Sequence, residues 1–368
     1  MCEKFYDITK NLLCPPGNGV FTVNTAKERK EKLHLSLYKT TENIETLWKD
    51  SIKENLHNSK PLLLGVCSDT GGGIQRGANW GPLFLRNTLL EEHPELDYSD
   101  IGDIRVIPHL LHDKYLNTET IESCRNALYQ DRDSSYPVSA LSLTEEFCDQ
   151  LFTEFPKKKL FSIGGDHSVS YPLVKSYLRA KKKQGIKAAI IHFDAHTDLL
   201  VERLGIDICF GSWCTHILPF LDSPEHLIQL GIRSSGKERS HWENTFGVQQ
   251  FWATEIKEKG ANEVAKGIVA YLKKEAIDEL YVSFDIDALD EKYASATGTP
   301  EPGGIDPEQA ISIIKILAKE FKITGADMVE IAPLVCADHV THPEPQTTLS
   351  VGAAISAILI EALSDGNS

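Results

Sequence analysis

Short apolar runs alternate with amphipathic segments along most of this chain. Near-continuous apolar runs of four to eight residues are typical of strands that are buried on both faces of a parallel sheet. The sequence therefore predicts strands over residues 61–66, 104–107, 159–163, 188–193, 226–232, 279–284 and 327–331.

The amphipathic segments between these runs predict helices. They cover residues 143–155, 169–183, 261–275, 307–321 and 347–363. An alternation of strands and helices predicts an α/β fold with a mainly parallel sheet. In such folds ligands gather beyond the carboxyl ends of the strands.

The first sixty residues differ from the rest of the chain. They are polar and rich in Lys, Asn and Thr, with one helical-looking stretch over residues 41–56. We predict an N-terminal extension over residues 1–60 that packs on the main domain or on a neighbouring subunit. The catalytic domain is expected over residues 61–368.

Composition narrows the class of protein. Hydrophobic residues make up 41% of the chain and charged residues 25%, as in ordinary soluble domains. The net charge of −15 argues against a nucleic-acid or anionic-membrane partner. The eight cysteines form no CxxC pair, and no signal peptide or membrane-spanning run is evident. We expect a cytoplasmic protein with reduced thiols.

Chemistry-bearing residues are concentrated in three segments, each at the end of an apolar run. The segments are Ser162-Ile-Gly-Gly-Asp-His-Ser168, Ile191-His-Phe-Asp-Ala-His-Thr-Asp198 and Ser283-Phe-Asp-Ile-Asp-Ala-Leu-Asp290. Each Asp taken alone is also typical of a helix cap or turn. Three such clusters at corresponding strand ends favour a metal site instead.

The spacing of these residues predicts a binuclear metal site. Side chains two positions apart in an extended segment project to the same side. The candidate ligands are His167, Asp194, His196, Asp198, Asp285 and Asp287. Two imidazoles and four carboxylates suit two divalent ions that share bridging carboxylates and activate a water between them. The oxygen-rich set favours Mn²⁺, with Ni²⁺ as the alternative.

These segments resemble the signature blocks of the ureohydrolase family, which includes arginases, agmatinases and formiminoglutamases. The resemblance extends to Ala296-Thr-Gly-Thr-Pro-Glu-Pro-Gly-Gly304 and to the block from Gly65 to Pro82. Gly231-Ile-Arg-Ser234 is more similar to agmatinases than to arginases. The resemblance covers roughly residues 61–365, and it implies a three-layer fold with an eight-stranded sheet and a homo-oligomer, either a trimer or a hexamer.

The resemblance also implies a role for each candidate residue. One metal would be bound by His167, Asp194, Asp198 and Asp285, and the other by Asp194, His196, Asp285 and Asp287. Asp194 and Asp285 would bridge, and a metal-activated water would attack the guanidino carbon. Asp198 would pass a proton to the leaving amine, and Glu330 would bind the substrate guanidinium.

The sequence departs from the family after the metal aspartates. Phe210-Gly211 occupies the position of the family's His-Gly, and Leu199 and Leu200 replace polar arginase contacts. His216 is the candidate replacement for the missing histidine, and the alternative is a partly buried helix residue. Phe210 and Trp213 are candidates for an aromatic substrate wall, although plain packing explains them equally well.

The two histidines at 339 and 342 follow the predicted strand of Glu330. They are candidates for the pocket mouth, but a solvent-exposed loop is the simpler expectation.

The leading hypothesis is hydrolysis of a guanidino compound. Agmatine-like substrates rank first, followed by guanidine and guanidino acids, then formiminoglutamate, and arginine last. The alternatives are a formiminoglutamase-type hydrolase and a metal-binding, non-catalytic relative. A single-metal zinc deacetylase on a related fold ranks lower, because it needs neither His167 nor Glu330.

Overall fold

The computed structural model describes residues 2–20, 26–73, 75–335 and 346–365. Within these residues nine strands form one sheet in the order β1-β3-β2-β4-β9-β8-β5-β6-β7. The strands are β1 (Leu13–Cys14), β2 (Leu62–Gly65), β3 (Ser99–Ile104), β4 (Leu160–Ile163), β5 (Ala188–Phe193), β6 (Leu227–Ile232), β7 (Gln249–Trp252), β8 (Glu279–Asp285) and β9 (Lys322–Val329).

The predicted mainly parallel α/β sheet is confirmed, with one strand more than expected. Every neighbouring pair from β2 to β9 is parallel, whereas β1 pairs with β3 in the antiparallel sense. The ninth strand, β1, comes from the predicted N-terminal extension.

Thirteen α-helices accompany the sheet in the described part of the chain. They are α1 (Cys2–Leu12), α2 (Lys27–Tyr38), α3 (Ile44–His57), α4 (Gly81–Glu92), α5 (Thr118–Tyr129), α6 (Ala140–Glu154), α7 (Ser170–Lys183), α8 (Trp213–Ile217), α9 (Arg239–Phe246), α10 (Ala253–Lys259), α11 (Ala261–Lys274), α12 (Pro307–Glu320) and α13 (Gln346–Asp365).

Side chains alternate across the sheet and divide the core into two. Leu63 and Ile191 belong to one hydrophobic cluster, which includes buried residues of α4 and α10 to α13. Leu62 and Ile190 belong to the other, which includes α1, α3, α6, α7 and α8. Because successive strand residues point to opposite faces, the sheet lies between two helical layers. The three-layer prediction is therefore confirmed.

The predicted strand at 104–107 is wrong in position, because β3 ends at Ile104. The sequence of β3, Ser-Asp-Ile-Gly-Asp-Ile, is too polar to be recognised as a buried strand. The buried guanidinium of Arg86 explains that polarity, because it donates to Asp100 Oδ2 at 2.8 Å and to Asp103 Oδ1 at 2.5 Å. Paired in this way, both carboxylates are accommodated inside the protein.

Residues of the predicted N-terminal extension pack on the main domain. Phe5 and Trp48 are buried in the second cluster, and the Trp48 indole N–H donates to the Ile101 carbonyl at 2.9 Å. The Gly17 N–H donates to the other oxygen of Asp103 at 2.8 Å, which connects the extension to the Arg86 network. The division of the chain at residue 60 stays a prediction.

The C-terminal helix α13 is long and apolar enough to cross a membrane by length and composition. In the structure 61% of its most apolar window is buried. Leu349, Ile355 and Leu359 pack in the first hydrophobic cluster. Its apolar character therefore matches its place in the core.

Candidate active site

The candidate residues follow four adjacent strands. In the sheet β4, β9, β8 and β5 are consecutive neighbours. His167 follows β4, Glu330 follows β9, Asp285 ends β8, and Asp194 follows β5. Because all four strands are parallel, their carboxyl ends meet at one edge of the sheet, where α/β folds bind ligands.

The first group of candidate ligands surrounds His167. Its Nδ1 lies 3.0 Å from Asp194 Oδ2, 3.2 Å from Asp198 Oδ2 and 3.1 Å from Asp285 Oδ2. All four side chains are buried. No described group completes a well-aligned hydrogen bond to this Nδ1. A nitrogen lone pair on Nδ1, surrounded by three carboxylate oxygens, fits a bound cation.

The hydrogen bonds of His167 leave its Nδ1 free to bind a metal. The hydroxyl of Ser283 donates to Asp327 Oδ1 at 2.8 Å, and its oxygen lies 3.0 Å from His167 Nε2. Since that hydroxyl proton is committed to a carboxylate, the oxygen accepts from Nε2–H. A neutral imidazole with its proton on Nε2 carries its lone pair on Nδ1.

Concentrated negative charge governs the protonation of His167. Burial alone lowers the pKa of this imidazole, but its close contacts with the carboxylates of Asp194, Asp198 and Asp285 raise that pKa well above its ordinary value. The same carboxylates that retain a proton attract a metal cation in its place.

The second group forms around His196. Its Nδ1 lies 3.2 Å from Asp194 Oδ1 and 3.2 Å from Asp287 Oδ2, while its Nε2 faces Glu301 Oε1 at 3.4 Å. The hydroxyl of Thr299 donates to Asp287 Oδ2 at 2.9 Å. The structure thus brings all six predicted ligands together in two groups that share Asp194. That they bind metal stays a prediction.

His192 is a site residue that the sequence analysis did not identify. Its Nε2 lies 2.9 Å from Asp194 Oδ2, and the side chain is fully buried. By distance alone it belongs with His167, Asp194 and Asp198 as a group able to hold a cation. A histidine two positions before Asp194 in a strand, and therefore on the same face, is the signal available in the sequence.

A chain of hydrogen bonds fixes the proton of His192. The Trp252 indole N–H can only donate, and it donates to Gln250 Oε1 at 3.0 Å. Gln250 Nε2 then donates to Gln229 Oε1 at 2.8 Å. Gln229 Nε2 donates to the Thr197 carbonyl at 2.6 Å and lies 2.9 Å from His192 Nδ1.

It follows that His192 Nδ1 accepts a hydrogen bond and Nε2 carries the proton. A protonated nitrogen cannot bind a metal, so His192 donates to Asp194 instead of joining the ligand set. The two buried histidines therefore present different groups to Asp194, a bare Nδ1 from His167 and an N–H from His192.

Two predicted catalytic residues adopt the left-handed backbone conformation. The φ angles are 51° at Asp198 and 63° at Glu330. Such conformations are uncommon for residues other than glycine and are enriched at functional sites. Glu330 is only 6% exposed, and its Oε1 accepts the His167 backbone N–H at 2.8 Å. Burial, then the neighbouring Asp285 and Asp166, raise the pKa of Glu330 well above its ordinary value.

A cavity of about 370 Å³ opens beside these ligands. Asp198, His196 and Phe210 contribute to its lining, as the prediction for Phe210 requires. The binding of substrate by Phe210 stays a prediction.

Trp213 has the packed position that the sequence left open as the alternative to a substrate wall. It is fully buried and is not among the described residues that line the cavity. Its indole N–H donates to Asp198 Oδ2 at 2.9 Å, and its ring centroid lies 4.9 Å from that of His167. The structure therefore places Trp213 behind the ligands, where it orients Asp198.

His216 has the alternative position that the sequence allowed, that of a partly buried helix residue, and its catalytic role stays a prediction. Its Nε2 lies 3.1 Å from the Val201 carbonyl, and it is absent from the described lining of the cavity. Because α8 directs this ring towards the loop that follows Asp198, His216 contacts the loop's backbone. Histidines 339 and 342 lie outside the described residues.

Arg233, in the block that resembles agmatinases, supports the second group from behind. Its guanidinium donates to the Asp287 carbonyl at 2.7 Å and to the Glu301 carbonyl at 2.7 Å. Ser234 Oγ donates to Glu301 Oε1 at 2.8 Å, the oxygen that faces His196. These contacts fix the loops that carry Asp287 and Glu301.

Known proteins are similar to this chain in sequence and in fold. A family description headed Arginase family matches residues 59–360. The agmatinase of Bacillus subtilis is 35% identical over 293 residues, which covers 74% of this chain and 83% of the relative.

Two solved structures share the fold at lower identity. Proclavaminate amidino hydrolase from Streptomyces clavuligerus aligns with a TM-score of 0.62 at 23% identity, covering 83% of this chain and 92% of that one. Formimidoylglutamase from Bacillus subtilis aligns with a TM-score of 0.63 at 22% identity, covering 83% and 87%. The family match spans most of the chain and confirms the resemblance first carried by the motifs. The chain belongs to the arginase family, as an agmatinase-like hydrolase.

Proposed function

We propose that this protein is a binuclear-metal hydrolase that cleaves a C–N bond of a guanidino compound and releases urea or ammonia. One observation carries the proposal. The two oxygens of Asp194 face different histidines, Oδ2 at 3.0 Å from His167 Nδ1 and Oδ1 at 3.2 Å from His196 Nδ1. A carboxylate in this arrangement is suited to bridge two cations.

The donor set fits two divalent ions. His167 and Asp198 would hold one ion, His196 and Asp287 the other, and Asp194 and Asp285 would bridge them. When bound, such a pair lowers the pKa of a shared water towards neutrality and stabilises negative charge that develops at the attacked carbon. Oxygen-rich ligands with imidazole favour Mn²⁺, with Ni²⁺ as the alternative.

Glu330 would hold the planar head of the substrate. One of its oxygens already accepts the His167 N–H. The other lies beside Gly298, where an added Cβ would come within 3.5 Å of Glu330 Oε2. Glycine at this position leaves room next to the carboxylate, and the free oxygen can accept an N–H of a guanidinium.

Asp198 would transfer the proton. It lines the cavity, and the Trp213 indole N–H orients its carboxylate from behind. A carboxylate held in this way can take a proton from the attacking water and deliver it to the leaving amine. Phe210 contributes an apolar face to the same cavity.

Other properties follow from the sequence and the family. The sequence ranks agmatine-like substrates first, and we propose a cytoplasmic homo-oligomer, a trimer or a hexamer.

Urea and ammonia release from a substrate panel tests the proposal. The panel contains guanidine, agmatine, guanidinobutanoate, guanidinopropanoate, arginine and formiminoglutamate. Each is assayed with apo, Mn²⁺-loaded and Ni²⁺-loaded protein, and metal is counted per subunit. Turnover of a guanidino compound with about two metals bound is the expected result. Two bound metals without turnover of any compound would favour the non-catalytic alternative, and one metal per subunit would contradict the binuclear site.

A further inference from the structure

Two cationic side chains line the active-site cavity. Arg203 and Lys237 both line the cavity that also contains Asp198. Asp198 is the one carboxylate among the described lining residues, and it is a predicted metal ligand. A charged group on a substrate bound in this cavity would therefore meet two positive side chains.

The backbone positions of both cations are fixed by local hydrogen bonds. Arg203 exchanges two backbone hydrogen bonds with Ile206, at 2.8 and 3.0 Å. The intervening Leu204 and Gly205 have φ angles of 54° and 83°, as in a two-residue hairpin turn. In the second lining segment, the Lys237 N–H donates to Ser235 Oγ at 3.2 Å.

Neither cation is neutralised by a carboxylate within the described part of the chain. The Arg203 guanidinium lies 5.1 Å from the centroid of the Phe210 ring. Stacking on an aromatic face positions a guanidinium but leaves its N–H groups free to donate.

We infer that the preferred substrate carries a carboxylate at the end opposite its guanidino group. Its guanidinium would lie against Glu330 beside the predicted metal ligands, and its tail would extend into the cavity, where Arg203 and Lys237 would bind the carboxylate. The inference rests on the proposed hydrolase activity and reverses the order in which the sequence ranks agmatine and guanidino acids. The terminal ammonium of agmatine would be repelled by the same two side chains, whereas a carboxylate accepts charge-assisted hydrogen bonds from them.

Substrates with one carbon chain and different terminal groups test the inference. Agmatine, 5-guanidinopentanoate and butylguanidine carry an ammonium group, a carboxylate and a hydrogen atom, respectively, at the end of the same four-carbon guanidinobutyl chain. 4-Guanidinobutanoate and 3-guanidinopropanoate vary the chain length. We expect kcat/KM for the best acid to exceed that for agmatine by ~10-fold or more, since one charge-assisted hydrogen bond is worth about that factor.

Arg203→Met and Lys237→Met separate charge recognition from a general loss of function. Each is expected to lower kcat/KM for the acid by ~10-fold, mainly through KM, and to leave butylguanidine within about two-fold. Lys266→Met removes an exposed cation from α11, outside the cavity lining, and is the matched control.

The outcomes distinguish this inference from the proposed function. Urea release from agmatine in preference to every acid would overturn the carboxylate assignment and leave the hydrolase intact. An equal loss with butylguanidine in both variants would also overturn it. Absence of urea from the whole series, with two metals bound, would instead contradict the proposed function.

Discussion

His192 Nε2 lies 2.9 Å from Asp194 Oδ2 and donates its proton to that oxygen. The proton's position is set at a distance, because Trp252 and Gln250 orient Gln229, which donates to the other ring nitrogen. The orientation of the predicted bridging carboxylate therefore depends on residues that touch no ligand atom. Outer groups of this kind tune the affinity of metal sites.

Replacing His192 should weaken metal binding. We expect His192→Ala to lower metal affinity by ~10–100-fold, the range found when an outer hydrogen-bond partner is lost. His192→Gln, whose amide N–H can still donate to Asp194, should recover part of it. Isothermal titration with Mn²⁺ measures both. Tyr177→Phe, which removes a buried hydrogen bond to Thr324 elsewhere in the core, is the control. If His192→Gln and His192→Ala bind metal equally weakly, donation is not the function of the ring.

Asp285 should be required for metal and for turnover. Asp285→Ala removes an oxygen 3.1 Å from His167 Nδ1, and we expect loss of most bound metal and all urea release. Asp290→Ala changes an aspartate of the same segment that accepts the backbone N–H groups of Lys292 and Gly303, and it should keep the metal. Metal analysis after desalting measures both variants. Full occupancy in Asp285→Ala would contradict the ligand assignment.

Glu330→Gln should separate catalysis from metal binding. The amide oxygen can still accept the His167 N–H, so the local backbone is retained. The lost negative charge no longer matches a guanidinium, and we expect kcat/KM to fall by ~10²–10³-fold with metal content unchanged. Steady-state kinetics and a metal count on the same preparation provide the measurement. Near-wild-type rates would show that Glu330 does not hold the substrate.

Trp213→Phe should lower turnover without weakening substrate binding. The substitution removes the N–H that donates to Asp198 Oδ2, and we expect kcat to fall by ~10-fold with KM within about two-fold. Trp242 lines the cavity itself, so Trp242→Phe should change KM more than kcat. A KM effect confined to Trp213→Phe would restore the substrate-wall role predicted from sequence.

The Arg86 network should dominate local stability. Asp103→Ala leaves the fully buried guanidinium of Arg86 with one carboxylate fewer, and we expect a loss of about 3–5 kcal/mol in the free energy of unfolding. Glu91→Gln breaks an exposed ion pair with Lys32 and should change it by less than about 1 kcal/mol. Urea denaturation followed by circular dichroism compares the two. Similar losses in both variants would contradict a special role for the buried network.

Much of the fold was accessible from sequence because buried parallel strands carry a strong apolar signal. The segment at 188–193 was predicted with the bounds that β5 has. Strand β3 was misplaced because its aspartates become compatible with burial only once Arg86 approaches from α4. That pairing is tertiary, so no local pattern indicates it.

The predicted ligands could be identified from sequence, but the arrangement of the residues around them could not. The six predicted ligands lie together because they follow neighbouring strands, and spacing along each strand indicates this. The directions of the Trp213 and His216 side chains depend on how α8 packs, and no local sequence pattern indicates that packing. His192 was missed because its function depends on a proton set by Gln229, a residue of another strand.

The position of β9 has a consequence for the order in which the protein can be made. Strands β1 to β4 form one half of the sheet and β5 to β8 the other, and β9, the last strand in the chain, lies between the two halves. During synthesis, therefore, His167 and Asp285 stand on separate half-sheets until residues 322–329 have left the ribosome. Only His167 is separated in this way, because Asp194, His196, Asp285 and Asp287 all lie at the ends of β5 and β8, which are neighbours. A truncated product that lacks β9 would therefore keep one predicted metal group and lose the contact of the other with His167.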